Sequence, residues 1–186
     1  MDALDFLLNR TSDAALTGPA PSAEALENCL QAAFRVPDHA GLRPYRFVLI
    51  DSDQARDKLG GLCQQALLAD NPDADQAALD KAGRLFYRAP LVVAVLSRYQ
   101  PHPKVPLIEQ HISAGLAAHA MQMAALAQGY GGMWRTGSYA YHPLVREAFG
   151  VEGDDQIVGF LYLGTPVKRK LKVPRPNSAD FVSRFQ

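Results

Sequence analysis

The sequence predicts an α+β fold in a single domain. Three apolar stretches have the length and β-branched content of buried strands, and they lie at 46–51, 91–97 and 156–164. Helical patterns separate them, but strands and helices do not alternate regularly, so the α+β class is favoured over a doubly wound α/β sheet. A chain of 186 residues, 48% of them hydrophobic, is of single-domain size and can bury a substantial core.

Start and stop signals place most of the helices. The apolar positions of residues 2–9 fall on one face and predict a short first helix. Ser22 is expected to cap a second helix, because its hydroxyl can accept a hydrogen bond from an N–H of the first turn. Pro37 ends that helix, since the residue before a proline is disfavoured in the α region. Further helices are predicted over 54–69, 76–86 and 143–149.

The stretch 107–137 contains the longest predicted helix and the clearest loop signal. From Leu107 the sequence is rich in Ala, Met, Leu and Ile on every face, which predicts a helix that is buried nearly all round. Gly129 is the first of a group of glycines that we expect to end this helix. We expect 129–137 to be a loop whose backbone can approach a ligand closely. A helix cap followed by a buried tryptophan is a comparably favoured interpretation.

Composition argues against several functional classes. The chain has 19 basic and 19 acidic residues, so its net charge is zero and a nucleic-acid-binding protein is not expected. The apolar run from Leu107 contains too many polar residues for a lone membrane span. Cys29 and Cys63 lack metal-ligand spacing and are expected to be reduced thiols. Asp2 stands where a signal peptide would be positively charged, so the sequence predicts a cytoplasmic protein.

Polar residues that could bind a ligand first occur after the predicted first helix. Arg10, Thr11 and Ser12 combine a guanidinium with two hydroxyls, a set that can hold a phosphate through charge-assisted hydrogen bonds. Taken alone, a helix end with a solvated arginine is the simpler interpretation. The loop 35–45 and the basic run 168–170 are likewise ordinary when taken alone.

The motifs of several common catalytic sites are absent from the sequence. The chain has no G-x-G-x-x-G after a strand, no lysine-containing phosphate-binding loop and no G-x-S-x-G nucleophile turn. Its five histidines form no metal motif. We therefore assign no catalytic side chain and no metal site.

Five blocks of the sequence share one resemblance. They are N-R-T-S at 9–12, R-V-P-D-H at 35–39 with R-P-Y at 43–45, A-M-Q-M-A-A-L-A-Q-G-Y-G-G-M-W-R-T-G at 120–137, V-R-E-A-F-G at 145–150, and I-V-G-F-L-Y-L-G-T-P at 157–166. Together these blocks resemble the nitroreductase family of FMN-dependent oxidoreductases, in particular its small, YdjA-like branch. The resemblance covers nearly the whole chain.

The resemblance implies that residues 1–186 form one nitroreductase-like FMN-binding domain. Its mixed β-sheet would be flanked by helices, and the long central helix would lie in the interface of a homodimer with two FMN molecules between the subunits. Small residues on that helix would let another backbone approach closely; they are Ala114, Gly115, Ala117, Ala118 and Ala120. The apolar residues of the tail after Gly164 would pack on the second subunit.

Eight residues match positions that bind the cofactor in the family. They are Arg10, Thr11, Ser12, Arg35, His39, Trp134, Arg135 and Thr136. The resemblance implies that the first three hold the phosphate and ribityl end of FMN. The next two would reach the flavin from the partner subunit, and the last three would lie along the isoalloxazine ring.

The sequence departs from the common family pattern near the substrate side. Gly41, Arg43 and Tyr45 stand where the pattern has Asn, Gln and Trp, and Ala14 replaces a common basic residue. The implied activity is hydride transfer from NAD(P)H through N5 of FMN to a nitroaromatic or quinone-type acceptor. Alternatives are a flavin reductase, dehydrogenase or dehalogenase of the same fold, or a non-catalytic flavin-binding protein.

Overall fold

A five-stranded β-sheet lies at the centre of the computed structural model, which describes residues 2–168 and 174–185. The strands are β1 (Leu16–Thr17), β2 (Tyr45–Ile50), β3 (Leu91–Ser97), β4 (Gly131–Arg135) and β5 (Gln156–Pro166). Their order is β1-β5-β3-β2, and β4 also pairs with β5.

Every pairing in the described sheet is antiparallel, whereas the resemblance implies a mixed sheet. The reason lies in the position of β5. It runs between β3 and β4, and both of these strands run opposite to it. The three apolar strands predicted from the sequence are confirmed within two residues at either end. The α+β class is confirmed as well.

Six α-helices flank this sheet in the described residues. They are α1 (Ala3–Leu8), α2 (Ala23–Ala33), α3 (Asp53–Asp70), α4 (Gln76–Gly83), α5 (Leu107–Ala127) and α6 (Pro143–Ala148). Ser22 caps α2 as predicted, because its Oγ accepts a hydrogen bond from the N–H of Ala25 at 3.1 Å. The helix predicted over 76–86 stops earlier, and a short 3₁₀ helix, Leu85–Arg88, follows it.

Strand β3 divides the hydrophobic core into two parts. Val92 and Leu96 pack on the side of α3 and α6, and Val93 and Val95 pack on the side of α2 and α5. All residues of β3 are buried, which explains why its apolar residues do not alternate with polar ones.

Helix α5 packs on the sheet through a stripe of small residues and one methionine. The stripe consists of Ala114, Ala117, Ala118, Met121 and Ala125. The prediction that the small residues face a second backbone is therefore wrong for three of them. They are buried within their own chain, in the cluster that joins α5 to α2 and to the sheet, and their small size lets these elements approach the helix. Gly115 faces Trp134 of the same chain.

A second face of α5 is apolar and uncovered in the described chain. Ile108, Ile112 and Leu116 follow one another at four-residue spacing and are 60%, 53% and 37% exposed. One sheet therefore does not cover all the apolar faces of this helix.

The predicted loop at 129–137 is wrong in its centre, because Gly131–Arg135 form β4. Two adjacent glycines give little local strand signal. Pairing with β5, far away in sequence, decides the conformation instead. The two-residue strand β1 was also missed, since it is too short to show a periodic pattern.

The tail is only partly described. Arg169 and Lys170 of the basic run, and Leu171 and Val173 of the apolar tail, lie outside the described residues. Residues 174–185 are exposed, with Phe185 fully so. None of the helices in the described parts of the chain is long and apolar enough to cross a membrane.

Candidate functional site

A buried carboxylate attaches the N-terminal candidate residues to strand β4. The N–H of Asp13 donates to the carbonyl of Gly132 at 3.0 Å, and Asp13 Oδ2 accepts from the N–H of Gly132 at 3.2 Å. Only 5% of Asp13 is exposed. A Cβ at Gly131 would lie 2.8 Å from Asp13 Oδ2, so this close approach requires glycine there. These contacts place residues 10–12 beside the start of β4.

The same carbonyl also receives a hydrogen bond from α5. Gln122 Nε2 donates to the oxygen of Gly132 at 2.8 Å, and Gln122 is buried. Neither Asp13 nor Gln122 was predicted from the sequence to belong to the site. A glutamine within an apolar helix was the available signal, because burying an amide without a partner is costly.

Arg10 and Ser12, two of the predicted phosphate-binding residues, lie together. Arg10 Nη1 donates to Ser12 Oγ at 3.2 Å, and both residues are half-buried. Thr11 between them is half-buried as well. A guanidinium and two hydroxyls at one place form a donor set suited to an anion.

Trp134 and Arg135 lie on opposite faces of the sheet, as neighbours in a strand do. The Trp134 indole packs toward α5, where a Cβ at Gly115 would lie 3.5 Å from its Cη2. The Arg135 guanidinium lies 5.9 Å from the ring centroid of Tyr162 on the other face. Burial raises the pKa of Tyr162 to about 12, so its phenol stays protonated at neutral pH. Thr136 follows β4 and is exposed.

Arg35 and His39 lie in the segment that follows α2. His39 Nδ1 is 2.7 Å from Glu109 Oε2 in the first turn of α5. Ser113 Oγ donates to the carbonyl of Pro37 at 3.1 Å, which fixes the same segment to α5. Both Arg35 and His39 are exposed.

These two groups of candidate residues lie on different sides of α5. Gly115 and Gln122 are seven residues apart, about two helical turns, so both face β4. Ser113 is two residues from Gly115 and is rotated from it by about 200°. Within one chain, Arg35 and His39 are therefore not brought to residues 10–12.

The segment that carries the departures from the family pattern has an unusual backbone. Ala40, Gly41 and Arg43 have φ values of 63°, 65° and 49°, in the left-handed region that non-glycine residues rarely adopt. Asp38 Oδ2 accepts a hydrogen bond from the N–H of Arg43 at 2.6 Å and stabilises this conformation. Non-glycine residues held in such conformations are concentrated at functional sites.

The two cysteines are buried and unpaired. Burial raises the pKa of Cys29 to about 11 and that of Cys63 to about 12, so both remain thiols at neutral pH. They are poor nucleophiles in this form. Residues 2–168 and 174–185 contain no group of three or more His, Cys, Asp or Glu side chains that could hold a metal ion.

Comparison with known proteins gives consistent matches. The profile of the Nitroreductase family matches residues 7–165. YdjA of Escherichia coli (strain K12), named as an NAD(P)H nitroreductase, is 45% identical over 186 residues and is covered completely, as is this chain.

Solved structures show the same fold. A nitroreductase-like family protein from Bacillus cereus has a TM-score of 0.83 at 20% identity, covering 100% of this chain and 97% of that one. A nitroreductase from Bacteroides fragilis NCTC 9343, crystallised with bound FMN, has a TM-score of 0.72 at 20% identity, with 98% of both chains covered.

Proposed function

Because the chain belongs to the nitroreductase family, we propose that it is an FMN-dependent oxidoreductase that passes a hydride from NAD(P)H to a nitroaromatic or quinone-type acceptor. The observation that carries this proposal is the pair of hydrogen bonds between Asp13 and Gly132. They hold the segment with Arg10 and Ser12 against the strand that carries Trp134 and Arg135.

The donor set along β4 fits the two ends of FMN. The phosphate is a dianion and requires a guanidinium with hydroxyl or N–H donors, which Arg10, Thr11 and Ser12 offer. The ring is flat and apolar and requires a closely approaching backbone with apolar cover. The end of β4 offers both, because Trp134 is half-buried there and Gly137, two residues after the strand, has nothing within 4 Å of where a Cβ would lie.

FMN, when bound, supplies the hydride chemistry at its N5 atom. The residues of the chain bind and orient the cofactor and need no general base. The Arg135 guanidinium is the candidate cation for the pyrimidine end of the ring, where a positive charge stabilises negative charge. With a quinone the overall reaction is NAD(P)H + H⁺ + quinone → NAD(P)⁺ + hydroquinone.

We also propose that the protein is a homodimer in which Arg35 and His39 of each subunit reach the cofactor of the other. Two features support this proposal. Both residues lie across α5 from residues 10–12 of their own chain. The outer row of α5, Ile108, Ile112 and Leu116, is apolar and exposed. Obligate pairs usually bury about 2,000–5,000 Å².

A cytoplasmic location is part of the same proposal. Cys29 and Cys63 are both free thiols, which fits a compartment in which cysteines stay reduced. Fractionation of the native cells and detection of the protein in each fraction would test this location directly.

The experiment that tests the enzymatic function is anaerobic mixing of the purified protein with NADH and with NADPH. We expect the yellow flavin absorbance to bleach with at least one nicotinamide and to return when a nitroaromatic or quinone is added. Denaturation should release FMN at about one copy per chain. Release of FAD would contradict the cofactor assignment, and FMN that neither nicotinamide reduces would favour a non-catalytic flavin-binding protein.

A further inference from the structure

A cavity between the end of α2 and the start of β2 carries three arginines. Its volume is about 580 Å³, and Arg35, Arg43 and Arg46 are part of its lining. Within the described ranges 2–168 and 174–185, none of these guanidinium groups forms an ion pair with a carboxylate. Three cations around one cavity repel one another, and an anion bound among them would remove that repulsion.

The cavity also has an aromatic wall. Phe34, Tyr45 and Phe47 contact one another with ring centroids 5.9–6.2 Å apart, and the planes of Phe34 and Tyr45 are inclined by only 20°. Phe34 is 45% exposed, so part of this wall is open to a ligand. A flat ring can stack on such a surface or contact it edge-on.

The local backbone holds Arg43 in place at this cavity. Its left-handed conformation is stabilised by Asp38, as described above. Arg46 Nη1 donates to the carbonyls of Arg43 and Tyr45, both at 2.8 Å, and so fixes the same turn. Arg46 therefore supports the loop, and the guanidinium of Arg43 is the group presented to a ligand.

We propose that this cavity binds the electron acceptor and that Arg43 selects acceptors that combine a flat aromatic ring with an anionic group, such as an aryl carboxylate. The proposal rests on the proposed function, because Arg35 lines the cavity and is also one of the residues proposed to reach FMN. The volume lies within the range of small-molecule sites, about 300–1,000 Å³.

The charges of the tail argue against a second copy of this chain as the occupant. Residues 174–185 offer Phe181 and Phe185 to an aromatic wall, but their charged side chains are Arg175, Asp180 and Arg184. This segment is therefore positive and would not neutralise the three arginines. An aromatic anion satisfies both the wall and the charge.

The test compares 4-nitrobenzoate with the neutral 4-nitrobenzamide on the FMN-loaded protein. Calorimetry without nicotinamide measures binding, and steady-state kinetics with saturating NAD(P)H measures turnover. We expect wild type to bind the carboxylate at least tenfold more tightly. Arg43→Gln should abolish most of this preference by raising KM for 4-nitrobenzoate about tenfold, with a much smaller change in KM for the amide. Glutamine is the residue of the family pattern at this position, so the variant should fold.

Arg84→Gln is the matched control, because Arg84 is exposed at the end of α4, over the ring of Tyr87, and does not line the cavity. It should keep the preference for the carboxylate. Equal affinities of the wild type for 4-nitrobenzoate and 4-nitrobenzamide would overturn the proposal. An apolar segment of a second copy would then be the favoured occupant of the cavity. A preference that survives Arg43→Gln, or a rise in KM for NADPH alone, would overturn it as well.

Failure of the proposed function has a different signature. Flavin that neither nicotinamide reduces, together with tight 4-nitrobenzoate binding that depends on Arg43, would reject the enzyme and retain the ligand class. Normal flavin reduction without discrimination between the two probes would reject the ligand class and retain the enzyme.

Discussion

The two halves of the predicted cofactor site are held in different ways. Residues 10–13 are held to β4 by Asp13, which is buried and forms hydrogen bonds with both the N–H and the carbonyl of Gly132. Gln122 donates to the same carbonyl of Gly132. The segment 35–43 is largely exposed, contains left-handed residues and presents Arg35 and Arg43, whose guanidinium groups lack ion pairs among the described residues. The first half is completed by contacts within the chain. The second half is the part for which we propose a partner from outside the chain.

This difference follows from the cost of burying polar groups. A buried carboxylate or amide must find hydrogen-bond partners within the protein, so Asp13 and Gln122 have them. Exposed guanidinium groups are solvated by water, so they need no partner within the protein. They remain available to a ligand or a second subunit. We therefore expect loss of the Asp13 anchor in the first half to destabilise the fold, and loss of the dimer to remove the contribution of the second half.

The largest expected effect is on assembly. Ile112→Glu places a charge in the outer row of α5. Burying this charge in the proposed interface without a partner should cost about 3 kcal/mol, which makes the dimerisation constant about a hundredfold weaker. Light scattering should show a monomer with normal circular dichroism, and FMN should be lost with the dimer. Gln54→Glu, exposed on α3, should change neither property. A flavin-loaded monomer would contradict the dimeric site.

A smaller effect is expected from the buried anchor. Asp13→Ala removes the acceptor of the Gly132 N–H and should lower the free energy of unfolding by about 1.5–3 kcal/mol, as for hydrogen bonds to charged groups. Urea unfolding measures this change. FMN affinity should fall while the protein remains dimeric. Asp5→Ala on the exposed α1 is the control, and equal stability of both variants would show that the anchor contributes little.

Within the first half, Arg10 is expected to matter for the cofactor and not for the fold. Arg10→Ala should weaken FMN binding at least tenfold, about 1.4 kcal/mol, because a charge-assisted hydrogen bond is lost. Fluorescence titration of the apoprotein with FMN measures the change. Lys168→Ala should bind FMN more tightly than Arg10→Ala does. Weaker FMN binding by Lys168→Ala than by Arg10→Ala would indicate that the phosphate of FMN binds the basic run 168–170 instead.

The smallest effect concerns Gly115, which the sequence placed in the dimer interface. A Cβ there would lie 3.5 Å from Trp134 and 3.9 Å from Val158, both ordinary contacts. Gly115→Ala should therefore stabilise the helix by about 0.5–1 kcal/mol and leave the dimer unchanged. A dimer weakened by this one methyl group would show that another backbone does approach α5 at Gly115.

Local patterns predicted most of the elements correctly. The β-branched run of β3 and the Ser22 cap of α2 depend on neighbouring residues alone, and both are confirmed. Strand β4 was missed, because its glycines have weak strand propensity and its pairing partner lies about 30 residues later in the sequence. Of the candidate site, Arg10 and Ser12 do lie together, whereas Trp134 and Arg135 diverge because a strand alternates its side chains.

The sequence by itself determined the α+β class, the six helices, the three apolar strands and the family, because hydrophobic periodicity and capping are local and because five motif blocks act together. Only the tertiary structure decided which face of α5 each residue occupies. A helix that is apolar all round carries no period from which its buried face can be read. Tertiary packing also decided that Asp13 and Gln122 meet at Gly132 and that three arginines surround one cavity, since these contacts join residues far apart in the chain.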